Sequence, residues 1–151
     1  MNHLIEMTRS SQDMLFQSAR KMPADKLTWK PLDTGRSALE QLQECALSVD
    51  LYIGHIDSTY TPHFANYDEQ FAAMAQLDTL DKCEDACRRM TERLCEGIAR
   101  MTPEDAAKIH EMPWGQSFPG AVVAGFHDWN MVYHLGQINY IQTLYGDNDM
   151  F

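Results

Sequence analysis

The stretch SALEQLQECALSVDLYIGHI, residues 37–56, decides the fold. Its apolar side chains fall at Leu39, Leu42, Ala46, Val49, Ile53 and Ile56, in alternating steps of three and four. Such spacing lines one face of a helix with 3.6 residues per turn, and no strand reading fits it. Ser37 stands where an N-cap is wanted, so the helix is expected to start just after it.

Upstream, residues 2–22 carry Leu4, Ile5, Leu15, Ala19 and Met22 on one stripe, with Thr8, Ser11 and Gln12 filling its gaps, and Pro23 ends this first helix. Downstream, residues 57–78 read as a connection with a Thr-Pro turn and a short helix over 68–76. A third helix then places Cys83, Ala86, Cys87, Met90, Leu94, Ile98 and Met101 together and stops before Pro103. Residues 102–118 are irregular, with one helical turn opened by Thr102 and an extended piece over 109–114. A fourth helix runs from Pro119 to Leu144, with Gly146 as its stop. Four segments of roughly 20 residues, each about 30 Å long, are the parts of an all-α four-helix bundle in one domain over residues 1–151. The second connection is too long for a simple hairpin, which favours a crossover between helices two and three over plain up-and-down order.

Composition narrows the function classes. With 22 acidic and 12 basic side chains the net charge is −10, and no basic stripe exceeds Arg88–Arg89, so neither nucleic acid nor an anionic membrane is an expected partner. No apolar run approaches the ~18 residues that span a bilayer, and the N-terminal residues lack the pattern of a signal peptide. Cys45, Cys83, Cys87 and Cys95 lie within helical patterns rather than at disulfide spacings. A cytoplasmic protein with reduced thiols is expected.

Helix four carries the functional clue. About His134, the side chains on one face are Val123, His127, Asn130, Met131, Gln137, Ile138, Ile141 and Tyr145. Two imidazoles and two amides thus share the side that should be buried. Unpaired, each would cost about 1–3 kcal/mol. They therefore bond one another, water, a metal or a ligand. His127 and His134 are seven residues apart, about 10.5 Å along the axis, too far to share one ion easily, and neither i, i+3 nor i, i+4 from His134 holds a second histidine. Helix two offers Glu44, which periodicity alone turns to solvent, and Cys45, at the edge of the apolar stripe. His3, His55, His63 and His110 have no acidic or thiol neighbour at ligand spacing and read as surface residues. The pair Cys83 and Cys87 reads as core.

HLGQINYIQTLYG, residues 134–146, resembles the closing motif of the DinB-like (DinB/YfiT) superfamily. KMPADKLTWKP (21–31) resembles that family's loop after helix one, GRSALEQLQECA (35–46) its helix-two start, and MPWGQSFP (112–119) the stretch before its last helix. The resemblance implies a four-helix bundle, often a homodimer, with three histidines holding a divalent metal, one from helix two and two from helix four. It also implies thiol-using transferases and isomerases among the members of known activity. Carried onto this sequence, the three metal positions fall on Glu44, Asn130 and His134, so one histidine of three is retained, and Glu44 turns inward against its periodicity.

Two readings follow. In the first, a weakly held divalent ion, zinc or nickel, or a water sits among Glu44, Asn130 and His134. Glu44 or His134 then acts as base in a thiol-using transferase or hydrolase for a small molecule. In the second, the metal site is lost and the protein is a non-catalytic small-ligand binder or structural dimer. Asn130, His127, Gln137 and Cys45 are the ligand-binding candidates in either case.

Overall fold

A computed structural model of the chain describes residues 1–32 and 34–149. Helix α1 (Asn2–Lys21) is followed by one turn, α2 (Ala24–Leu27). The stretch 37–56 forms two helices in line, α3 (Ala38–Leu47) and α4 (Val49–Ile56), interrupted at Ser48. Ser37 caps α3 as a capping box: its hydroxyl accepts from the Glu40 N–H, and the Glu40 carboxylate accepts from the Ser37 N–H. A short α5 (Tyr67–Met74) interrupts the long connection, and α6 (Leu80–Arg100) begins at a Thr79 cap. Thr102 opens α7 (Pro103–Ala107) with a second capping box. Strands β1 (Ile109–Glu111) and β2 (Ser117–Pro119) then pair antiparallel, with His110 opposite Phe118, and lead into α8 (Gly120–Leu144). At Gly120 a side chain could not fit, since a Cβ there would lie 2.3 Å from the Asp105 carbonyl oxygen. Gly146, at φ +91°, ends α8 as its position suggests.

Two apolar clusters fix the topology. One joins the end of α1 (Leu15, Phe16, Ala19) to the start of α3 (Ala38, Leu42), the start of α6 (Cys83, Ala86, Cys87) and the end of α8 (Ile138, Ile141). The other joins the opposite ends: Leu4 and Ile5 of α1, Val49 to Ile56 of α4, Leu94 and Ile98 of α6, and Val123 and Ala124 of α8. Hence α3–α4 runs parallel to α6, and both run antiparallel to α1 and α8. This is the all-α bundle with a crossover that the long connection implies. Across the α1–α6 seam the antiparallel order pairs Arg9 with Glu92 at 2.6 Å and Arg20 with Asp81 at 3.0 Å, exposed ion pairs that align more than they stabilise. Thr8, Ser11 and Gln12 are buried in the α1 stripe. All four cysteines are buried and free. Among the described residues no helix is long and apolar enough to cross a membrane.

Candidate functional site

The polar face of α8 is buried as its position requires, and its groups find partners on α3, on α6 and at the interruption between α3 and α4. His127 is fully buried, and its Nε2 lies 2.8 Å from Thr91 Oγ1 of α6, which also accepts a hydrogen bond from Gln12 Nε2 of α1 at 2.7 Å. Among the described residues its Nδ1 has no partner, and burial pushes the imidazole down to about 3, so the ring is neutral. One turn on, Asn130 donates from Nδ2 to Ser48 Oγ at 3.3 Å, at the interruption between α3 and α4, and touches Cys45 Sγ at 4.0 Å.

His134 sits at the centre of a longer chain of bonds. Its Nε2 meets Glu44 Oε1 at 3.1 Å, while Nδ1 faces Gln137 Oε1 at 2.8 Å and Gln41 Oε1 at 3.2 Å. The other Glu44 oxygen accepts from Arg36 at 2.5 Å, and the same guanidinium donates to the Glu40 carbonyl at 2.9 Å. The His134 hydrogen bond holds the Glu44 carboxyl down to about 2 against the opposing effect of burial, with Arg36 adding to it. Glu44 therefore points inward, against the periodicity of helix two. Its side chain is 32% exposed, whereas His134 is 1% exposed.

A cleft of about 450 Å³ opens beside this chain, lined by Arg36, Gln41, Tyr133, Gly136, Gln137, Tyr140 and Ile141. Of the candidate site residues, Gln137 lines it, whereas Glu44, Asn130 and His134 lie behind its described lining. His127 and Cys45 do not line it either: both are fully buried, and burial pushes the Cys45 thiol well up, away from a thiolate. Arg36 and Gln41 were not among the sequence candidates. Gln41, Cys45 and Ser48 share a spacing of four and three residues, a second stripe beside the apolar one that marks Gln41 as inward-facing. Arg36 precedes the helix and leaves no periodic signal.

The set Glu44, Asn130 and His134 does not fit a divalent ion as it stands. A metal needs donor atoms aimed at one point within about 2.0–2.3 Å. Here His134 Nε2 is turned onto Glu44, Asn130 presents an N–H donor to Ser48, and the Arg36 guanidinium covers the remaining Glu44 oxygen with a positive charge. Among the described residues no group of three histidine, cysteine or acidic side chains is placed to hold a metal.

The remaining histidines divide. His3 is exposed, and so is His63, whose Nδ1 lies 2.7 Å from Oδ1 of the buried Asp50 and ties the crossover to α4. His55 and His110 are not free surface residues: both are half-buried, with ring centroids 5.5 Å apart.

A four-helix bundle with a parallel central pair and a His-centred polar face on its last helix defines the class, and comparison with known proteins places it among DinB-like folds. No family model matches the chain, and no curated protein matches it. Among solved structures it is similar to a DinB-like protein from Bacillus subtilis, with a TM-score of 0.67 at 14% identity over 96% of this chain and 93% of that one. It is also similar to a mutant of mycothiol-dependent maleylpyruvate isomerase, with a TM-score of 0.65 at 11% identity over 93% of this chain. The chain spans 65% of that isomerase's length. The chain has the DinB-like fold, as its sequence resemblance implies.

Proposed function

We propose that this protein is a metal-independent small-molecule binder built on the DinB-like fold. Arg36, Gln41, Tyr133, Gln137 and Tyr140 meet the ligand, and Glu44 and His134 stand behind them, joined to that lining through Arg36, Gln41 and Gln137. The observation that carries this reading is the hydrogen-bonded chain Arg36–Glu44–His134–Gln137, which engages with protein groups two of the three positions, Glu44 and His134, that the family resemblance gives to a metal. The cleft offers two tyrosine rings, two amides and one guanidinium, which suits a planar or aromatic molecule with polar substituents.

A catalytic reading draws on the same pair, since a carboxylate that orients an imidazole is how a general base is built. Such a base needs its second nitrogen free for the substrate. Here Nδ1 is taken by Gln41 and Gln137 and the ring is shielded, which favours binding over a thiol-using transferase or hydrolase.

Homodimerisation is part of the proposal. The outer face of α8 exposes Val122, Trp129, Val132, Tyr133, Tyr140 and Leu144, and a helix apolar all round normally buries both faces. A second copy seated there would also roof the cleft, because Tyr133 and Tyr140 belong to both. Four buried free thiols suit a reducing compartment, and we assign the protein to the cytoplasm.

The test is a ligand-observed NMR screen of small aromatic and polar compounds together with low-molecular-weight thiols. Hits that persist in EDTA and are lost in Gln137→Ala and Tyr140→Ala support the reading. Hits that need added Zn²⁺ or Ni²⁺, or a thiol consumed in a His134-dependent reaction, would overturn it.

A further inference from the structure

A second cavity, of about 350 Å³, opens at the other end of the bundle. Its walls are the end of α4 and the turn after it (Gly54 to Thr59), the end of α6 (Gly97, Arg100) and the segment from α7 into β1 (Asp105, Lys108, His110). His55 lies eleven residues beyond Glu44, roughly 16 Å along the helix axis, and none of the described residues lines both cavities.

The carboxylates in this wall are engaged within the fold, Asp57 through both oxygens and Asp105 through one. Asp57 Oδ1 accepts from the Thr59 N–H at 2.9 Å and hydroxyl at 2.7 Å, and its Oδ2 accepts from Arg93 and Arg100 at 2.6 Å each. Asp105 Oδ2 accepts from the Thr102 N–H at 2.9 Å and hydroxyl at 2.7 Å. The donors are used only in part. Among the described residues Lys108 makes no ion pair, and neither His55 nor His110 has a hydrogen-bond partner, although both rings are half-buried and stand edge to face at the wall. Arg100 keeps further N–H groups beyond the one on Asp57.

This imbalance selects the charge of a ligand. A metal ion would find two imidazoles and no third histidine, cysteine or acidic side chain at ligand spacing, with Lys108 and Arg100 repelling it. An oxyanion meets the reverse situation: Lys108, the spare N–H groups of Arg100 and two imidazole N–H donors line a space that fits a small molecule, while the Asp57 carboxylate in the same wall is covered by Arg93, Arg100 and Thr59. We propose that this cavity binds a small oxyanion of the phosphate class, held by Lys108, Arg100, His55 and His110. The tetrahedral group can accept from donors arriving from three different elements at once, which a flat carboxylate does less well. The chain as a whole carries a net charge of −10, so loose adsorption of anions elsewhere is disfavoured.

Both imidazoles sit below their ordinary value, chiefly through burial, and for His110 also through His55 and Lys108. A bound anion offsets that repulsion and should draw protons onto the rings.

The experiment is an NMR titration of the full chain with inorganic phosphate at constant ionic strength, following the imidazole signals of all histidines. Saturable shifts at His55 and His110, an upward move of their titration midpoints and silence at His134 are expected. Lys108→Met, a change at an exposed position that leaves the core alone, should weaken the affinity roughly tenfold or more. Non-saturating shifts, equal affinity in Lys108→Met, acetate binding as tightly as phosphate, or stoichiometric Zn²⁺ binding at the same two rings would each overturn the assignment.

Discussion

The Nε2 of His134 lies 3.1 Å from Oε1 of Glu44, joining the last helix of the bundle to the second through a hydrogen bond between a buried imidazole and a half-buried carboxylate. On its outer side the same carboxylate carries Arg36. The pair thus has hydrogen-bond partners at both ends without an ion. Removing one member leaves the other buried and incompletely paired.

Glu44→Ala should therefore lower stability by about 1–3 kcal/mol, and Glu44→Gln, which keeps a hydrogen-bonding side chain, by less. Chemical denaturation at neutral pH measures both. An unchanged midpoint in Glu44→Ala would mean that the pair contributes nothing to the fold.

The pH dependence follows from the same group. The Glu44 carboxyl is held at about 2 in the folded chain against an ordinary 4.5, so its contribution is complete above 4.5 and is lost as the pH falls toward 2. Glu44→Gln should show a shallower loss of stability across that window. His127 acts at a higher window. Its ring, pushed down to about 3 from 6.5, stays neutral in the fold while the unfolded chain takes up a proton, so stability falls as the pH drops below 6.5. His127→Gln should flatten the curve between 6.5 and 3, and denaturation series at stepped pH distinguish the two residues.

The apolar steps of helix two, its Ser37 start and its end near Ile56 all stand in the structure, whereas its interruption at Ser48 left no mark in the spacing. The crossover stands as well, because a long link cannot make a tight hairpin. The inward turn of Glu44 was not legible from periodicity. A projection treats the helix as uniform and the side chain as a point, whereas a long carboxylate at the edge of the face can reach inward to a hydrogen-bond partner. The family resemblance turns it inward, toward the His134 it bonds. Arg36 was invisible because it lies outside any repeating pattern, and the half-buried His55 and His110 come together only through the packing of α4 against the segment before α8.

Asn130→Ala removes the bond to Ser48 at the interruption between α3 and α4 and should cost about 1 kcal/mol, a fall of a few degrees in Tm. Added Zn²⁺ or Ni²⁺ should not restore it. A metal-dependent rise in Tm of the wild-type chain would instead point to an ion at Asn130.

Ser37→Ala opens the capping box that starts α3 and should lower stability by about 1 kcal/mol. Because α3 positions Gln41 and Glu44, ligand affinity at the cleft should weaken with it. Thermal melts and titrations of a screened hit on the same samples test whether the two effects travel together.

Restoring the histidine set offers a gain of function. Glu44→His combined with Asn130→His removes the anchor of Arg36 and places two imidazoles at i, i+4 on α8, the spacing that holds zinc or nickel. Calorimetry should detect Ni²⁺ binding in the double variant. Failure to bind, in a variant shown to fold, would mean that the bundle no longer brings these three positions to a common point.

The central claim is that the His134 site works without a metal. Zinc titration of untagged, chelator-treated wild-type protein by calorimetry, with the His134 imidazole followed by NMR, tests it directly. No binding tighter than millimolar and an unmoved His134 signal are predicted. Stoichiometric binding that shifts His134 and frees Arg36 from Glu44 would contradict the account.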